Sequence, residues 1–141
     1  MSPAARFAVP AAAILGILFP VLETVRRGFG AWLITPVTLL EDYVAGALLL
    51  WAAIAVFRRW PSGWVVMLAA CAYTTGMMSS SFWNQLEAQL KGVTWEANQT
   101  LIVMIKMILW GLPLVITVLS AHVVLGAGSS AGRAGAKPVA A

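Results

Sequence analysis

Charge is what this chain has least of. Only 10% of its 141 residues are Asp, Glu, Lys or Arg, against about 25% in soluble domains. A water-facing surface cannot be built from so few charges, which excludes a soluble globular protein. Disorder is excluded from the other side. Hydrophobic residues make up 61% of the chain and mean hydropathy is +0.88, whereas unfolded chains need a polar composition. A single cysteine, Cys71, rules out an internal disulfide, a CxxC redox pair and a thiolate zinc site. A single histidine, His122, rules out a haem held by two histidines of one chain and any multi-histidine metal centre. Neither a nucleotide-binding loop nor a nucleophile–base pair is present as a motif. No catalytic residue, metal or cofactor is therefore expected. Cys71 reads as a small apolar packing residue, and His122 as an interfacial one.

What the chain does have is long apolar runs. They fall at residues 7–25, 39–57, 64–86 and 101–125. Each approaches or exceeds the roughly 20 residues that cross a hydrocarbon core as a helix. Barrel strands would be half as long and would alternate polar with apolar residues. The expected fold is all-α: a polytopic membrane protein whose residues 1–125 form a four-transmembrane-helix bundle with short loops. The first run continues through Pro20-Val21-Leu22-Glu23 without a small-x-small cleavage site, so it reads as a membrane helix and not a leader. Residues 126–141 are mostly Gly, Ala and Ser, a composition expected to give a flexible cytoplasmic tail.

Local signals set the expected ends. Thr38-Leu39-Leu40-Glu41 matches a capping box, with Thr38 as N-cap. Arg58 to Trp64 reads as a tight turn, and Gly92 as the stop of a third helix that outruns the bilayer. The apolar, aromatic segment Gly28–Pro36 is expected to lie on the outer surface or to dip back into it. Basic residues number five on the side of the termini and second loop (Arg6, Arg58, Arg59, Arg133, Lys137) against three in the other loops (Arg26, Arg27, Lys91). That bias predicts that both termini are cytoplasmic, and the short loops point to a multi-pass protein of the bacterial inner (plasma) membrane.

In this orientation all five acids, Glu23, Glu41, Asp42, Glu87 and Glu96, fall on the outer side. Helical spacing then sorts the faces. Ala8, Ala12, Gly16 and Pro20 form a small-residue stripe on the first helix, leading to Glu23 and Arg27. Ala45, Gly46, Leu49, Ala52 and Ala53 form another on the second, with Asp42 at its outer end. Tyr73, Gly76, Ser80, Asn84 and Glu87 share a face of the third. Gln99, Lys106, Pro113 and Ser120 recur every seven residues on the fourth. The candidate polar cluster is therefore Glu23, Arg27, Asp42, Ser80, Asn84, Glu87, Gln99 and Lys106, in the outer half of the bundle. Lys106 is the sharpest of these. An ammonium inside an apolar run costs a few kcal/mol and is expected to pair with a carboxylate, Asp42 first, then Glu87 or Glu23.

Other features have plainer readings. Trp32, Trp60, Trp64, Trp83 and Trp95 sit near segment ends as an aromatic belt, whereas Trp51 and Trp110 are deep enough to line a cavity. Met77, Met78, Met104 and Met107 read as packing filler rather than a soft-metal site.

Two classes of function fit these features. One is a non-enzymatic module: a bundle that binds or passes a small solute, or a subunit of a larger membrane complex. Its expected partners are the bilayer and a second copy or another membrane subunit, with no nucleic acid. The alternative is a membrane-embedded enzyme acting on a lipid or amphipathic substrate, with Asp42 and Glu87 as acid and base and Lys106 as an electrostatic anchor.

Overall fold

The computed structural model describes residues 2–28, 30, 33, 36–93 and 98–135. Four helices follow one another: α1 Pro3–Arg27, α2 Pro36–Phe57, α3 Gly63–Leu90 and α4 Gln99–Gly135. All four are long and apolar enough to cross a membrane. Of the expected surface segment Gly28–Pro36, Phe29, Ala31, Trp32, Ile34 and Thr35 lie outside the described residues. So do Trp95 and Glu96 of the third loop, and Lys137 of the tail.

The helix ends show where the run lengths misled. α1 begins four residues before Phe7, because Ser2 is an N-cap: its Oγ accepts from the Ala5 N–H at 3.3 Å, and Pro3 takes the first helical position. α2 begins at Pro36, so Thr38 lies within its first turn and not at its cap. Proline has φ already set for that position and lacks the N–H that would be unsatisfied there. α3 ends where expected, with Gly92 at φ 69 just beyond it. α4 continues helically through Gly126 to Gly135, since a nucleated helix gains a hydrogen bond for each residue it adds.

The chain packs as two hairpins. α1 lies mainly on α2 and α3 mainly on α4; α2 and α3 join the pairs, while α1 and α4 touch little. The half nearest the N-terminus and the 58–62 turn, here the proximal half, is closed. Ala8, Ala12 and Leu15 of α1 and Leu49, Ala52 and Ala53 of α2 are buried there, with Met67, Ala70 and Cys71 of α3 and Ile116 of α4. Between membrane helices packing comes from van der Waals contact, not from escape from water, so small residues that let backbones meet are the useful ones.

α1 and α2 meet backbone to backbone at Gly16 and Gly46. A Cβ placed on Gly46 would lie 2.6 Å from the Gly16 carbonyl oxygen, and one on Gly16 would lie 2.9 Å from the Gly46 oxygen. Pro20 explains part of this. It offers no N–H to the Gly16 oxygen, and its own ring packs 3.0 Å from the Cβ position of Gly46. Gly63 does the same work at the 58–62 turn, where a Cβ would meet the Ala55 oxygen at 2.9 Å.

Candidate functional site

The opposite, distal half is built differently. There each hairpin is tied by polar bonds. α3 and α4 form a ladder: the Trp110 indole N–H donates to Ser79 Oγ at 3.0 Å, Lys106 Nζ to Ser81 Oγ at 2.8 Å, Gln99 Nε2 to Gln85 Oε1 at 2.6 Å and Gln89 Nε2 to Thr100 Oγ1 at 2.9 Å. Phe82, Trp83 and Trp110 stack beside it, with ring centroids 5.0 to 5.5 Å apart. On the other hairpin, Thr24 Oγ1 lies 3.1 Å from the Tyr43 hydroxyl.

Between the hairpins lies a cavity of about 440 Å³ lined by all four helices. α1 contributes Phe19, Leu22, Glu23, Val25, Arg26 and Arg27, and α2 contributes Glu41 and Asp42. α3 contributes Met77, Met78, Ser80 and Ser81, and α4 contributes Ile102, Ile105, Lys106 and Leu109. Its volume falls within the range of about 300–1,000 Å³ typical of small-molecule sites. Val25 and Ile105 line the cavity and are also exposed on the bundle surface, at 76% and 36%. The cavity therefore reaches the α1–α4 side, where the helices part.

Five of the eight residues singled out by spacing line this cavity: Glu23, Arg27, Asp42, Ser80 and Lys106. Glu23 forms ion pairs with Arg26 at 3.1 Å and with Arg27, as helical spacing of three and four allows. The expected Lys106–carboxylate pair does not form with Asp42, Glu87 or Glu23. Lys106 Nζ donates to Ser81 Oγ, one residue round from the expected face of α3.

The other three lie elsewhere. Gln99 is buried against Gln85 in the ladder. Asn84 and Glu87 are exposed, and Glu87 pairs with Lys91 on the surface. The α3 face itself corrects the sequence reading. Tyr73, Gly76, Ser80, Asn84 and Glu87 share a face that is exposed, with Tyr73 at 41%, and of the five only Ser80 also lines the cavity. The buried face carries Met67, Cys71, Met78 and Phe82 with the polar Thr74 and Gln85, neither of which the spacing singled out. Near the loop end, exposure costs Asn84 and Glu87 little, because headgroups and water solvate them there. The triple serine 79–81 was the available signal, since consecutive helical positions splay by 100° and one hydroxyl is bound to face α4.

Trp51 is half exposed and does not line the cavity, and Trp110 belongs to the aromatic stack. Met77 and Met78 line the cavity while Met104 and Met107 are exposed, so the four form no group. No cluster of three or more metal-ligating His, Cys, Asp or Glu occurs among the described residues.

Two further hollows flank the cavity. One of about 530 Å³ lies on the α2–α3 surface and shares Glu41, Met77 and Ser80 with it. The other, about 580 Å³ at the distal ends of α3 and α4, has no ionisable side chain among its described lining residues. The charged cavity is the chemically distinctive one. No family model, curated protein or solved structure matches the chain.

Proposed function

We propose that the protein is a membrane-embedded binding module that holds one amphipathic molecule in its distal half. The polar group sits among the charged residues of the cavity and the apolar part leaves between α1 and α4. The observation that carries this reading is the lining itself: ionised groups of both signs and aliphatic side chains facing one space of about 440 Å³. Buried charge is costly in a membrane protein and is kept where it meets a ligand or another charge. In the proposed orientation the termini are cytoplasmic and the cavity lies at the depth of the outer leaflet of the plasma membrane. A photoreactive amphiphile with its diazirine near the headgroup tests the reading. Adducts are expected on Leu22, Met77 and Ile105. Adducts spread evenly over lipid-facing residues such as Val115 and Val118 would sink it.

A second reading has its own support. Ala72, Gly76 and Ser80 are exposed and recur every four residues on α3, the spacing that lets a second membrane helix approach closely. A second copy or another membrane subunit packed there makes the module part of a larger complex. Gly76→Leu should then reduce the assembly to single chains in cross-linking. The lipid-enzyme alternative loses its proposed acid–base pair, because Asp42 lines the cavity and Glu87 is on the surface with Lys91.

A further inference from the structure

α1 and α4 border the opening of the cavity, and each has a proline inside the helix near the cavity's inner end. Pro20 follows the lining residue Phe19, and Pro113 lies one turn beyond the lining residue Leu109. A proline offers no N–H to the carbonyl four residues back and its ring pushes that carbonyl away, so a membrane helix bends there. The segments beyond the two prolines are restrained unequally. On α4, Gln99, Thr100, Lys106 and Trp110 all hydrogen-bond to α3. On α1 the last buried residue is Phe19, and Val21 and Val25 beyond it are 49% and 76% exposed. α1 and α4 touch little. Before Pro20, α1 is fixed: Gly16 meets the Gly46 backbone and the Pro20 ring packs on Gly46. That anchorage ends at the proline.

The tip of α1 beyond it, residues 21–27, meets α2 through Thr24. Thr24 Oγ1 donates to the Pro20 oxygen at 2.6 Å, which engages its one proton. The Tyr43 hydroxyl, 3.1 Å away, is therefore the donor of the bond between the helices. Coulomb forces across this seam oppose one another: Arg26 and Arg27 attract the Asp42 carboxylate and Glu23 repels it. One net hydrogen bond changes an equilibrium about fivefold, which lets it break and re-form readily.

We propose that residues 21–27 form a flap, hinged at Pro20 and latched by the Tyr43 hydroxyl on Thr24, and that the flap swings away from α4 to admit the amphiphile sideways from the lipid. This rests on the amphiphile-binding reading above and adds its route of entry. The segment carries Leu22, Glu23, Val25, Arg26 and Arg27, so moving it moves most of the α1 wall of the cavity. At 1.5 Å per residue it is about 10 Å long, and a bend of about 20° at the proline carries its end about 3.5 Å. That is about one carbon–carbon contact distance, added to the gap already present between α1 and α4.

Distances between nitroxide pairs on the full chain test this, in nanodiscs of phosphatidylethanolamine and phosphatidylglycerol, with Cys71→Ala removing the native thiol. One pair replaces Val25 and Leu101 across the opening, the other Asn84 and Leu101 across α3 and α4; all three sites are exposed. The first pair should show two populations at least about 3 Å apart, and the second pair one. Tyr43→Phe should raise the ratio of the longer to the shorter population about fivefold. Thr24→Ser, which keeps the acceptor, should leave the ratio at the parent value, and Pro20→Ala should leave only the shorter population. Entry is read with an acyl-labelled fluorescent phosphatidylethanolamine, whose exchange should quicken about fivefold in Tyr43→Phe. The two populations in the parent stand as a test even if a variant fails to fold. One population for both pairs, unchanged by Tyr43→Phe, overturns the flap and leaves the amphiphile-binding reading intact. A moving tip with lipid exchange at the parent rate in Tyr43→Phe overturns its role in entry. A chain that takes up no labelled lipid overturns the amphiphile-binding reading and the entry role with it, while the distances still report the hinge.

Discussion

The two halves of the bundle solve the same packing problem with different chemistry. In the proximal half, α1 and α2 meet backbone to backbone at Gly16 and Gly46, and alanines fill the seam on both sides. In the distal half the hairpins stay apart, each tied within itself by hydroxyls and amides, and charged groups occupy the space between. A small-residue seam gives rigidity and leaves no room for a ligand. A polar ladder within each hairpin lets the hairpins separate without loosening either one. The difference teaches that this chain holds its shape at one end and keeps space at the other.

The comparison breaks most directly at its tightest contact. Gly46→Leu puts a side chain 2.6 Å from the backbone oxygen of Gly16. Backbone cannot swing aside, so the loss should reach about 3 kcal/mol, the upper end for overpacking. Thermal melting in detergent reads it. The distal half should respond otherwise. Lys106→Met removes at least the charge-assisted hydrogen bond to Ser81, a net effect of about 2 kcal/mol, and it should also strip the retained amphiphile from the purified chain. Melting by circular dichroism and lipid analysis of one preparation separate the two effects. The smallest expected effect is at Gly76, where a Cβ would meet nothing within 4 Å. Gly76→Leu should melt within about 0.5 kcal/mol of the parent in monomeric detergent complexes. Matched against Gly46→Leu, it isolates close approach as the cause.

The proximal half was legible in the sequence and the distal half only partly so. Repeated small residues at helical spacing on α1 and α2 state that two backbones meet, and they do meet, at Gly16 and Gly46. The seven-residue recurrence of Gln99, Lys106, Pro113 and Ser120 also marks an inward face: Gln99, Pro113 and Ser120 are buried and Lys106 lines the cavity. α3 was misread because its two faces differ little in hydropathy. In a membrane lipid is as apolar as a core, so periodicity identifies a face without saying which way it points. Tyr73, Asn84 and Glu87 form a real stripe, on the outside. The partner of Lys106 was missed for a related reason. Asp42 was expected first, but Ser81 stands opposite Lys106 across the α3–α4 seam, Asp42 and Glu23 lie on the other hairpin, and Glu87 pairs with Lys91 on the surface.

Filling the cavity tests the account at its centre. Ile105→Trp places an indole in the space between α1 and α4, whereas Val118→Trp adds the same bulk at a position 62% exposed on the surface. Native mass spectrometry from mild detergent counts the amphiphiles retained per chain in each. One retained molecule is predicted in the parent and in Val118→Trp, with at least about a tenfold drop in Ile105→Trp, equivalent to roughly 1.4 kcal/mol of binding. Equal retention in all three chains would contradict the account, because the retained molecules would then lie outside the cavity.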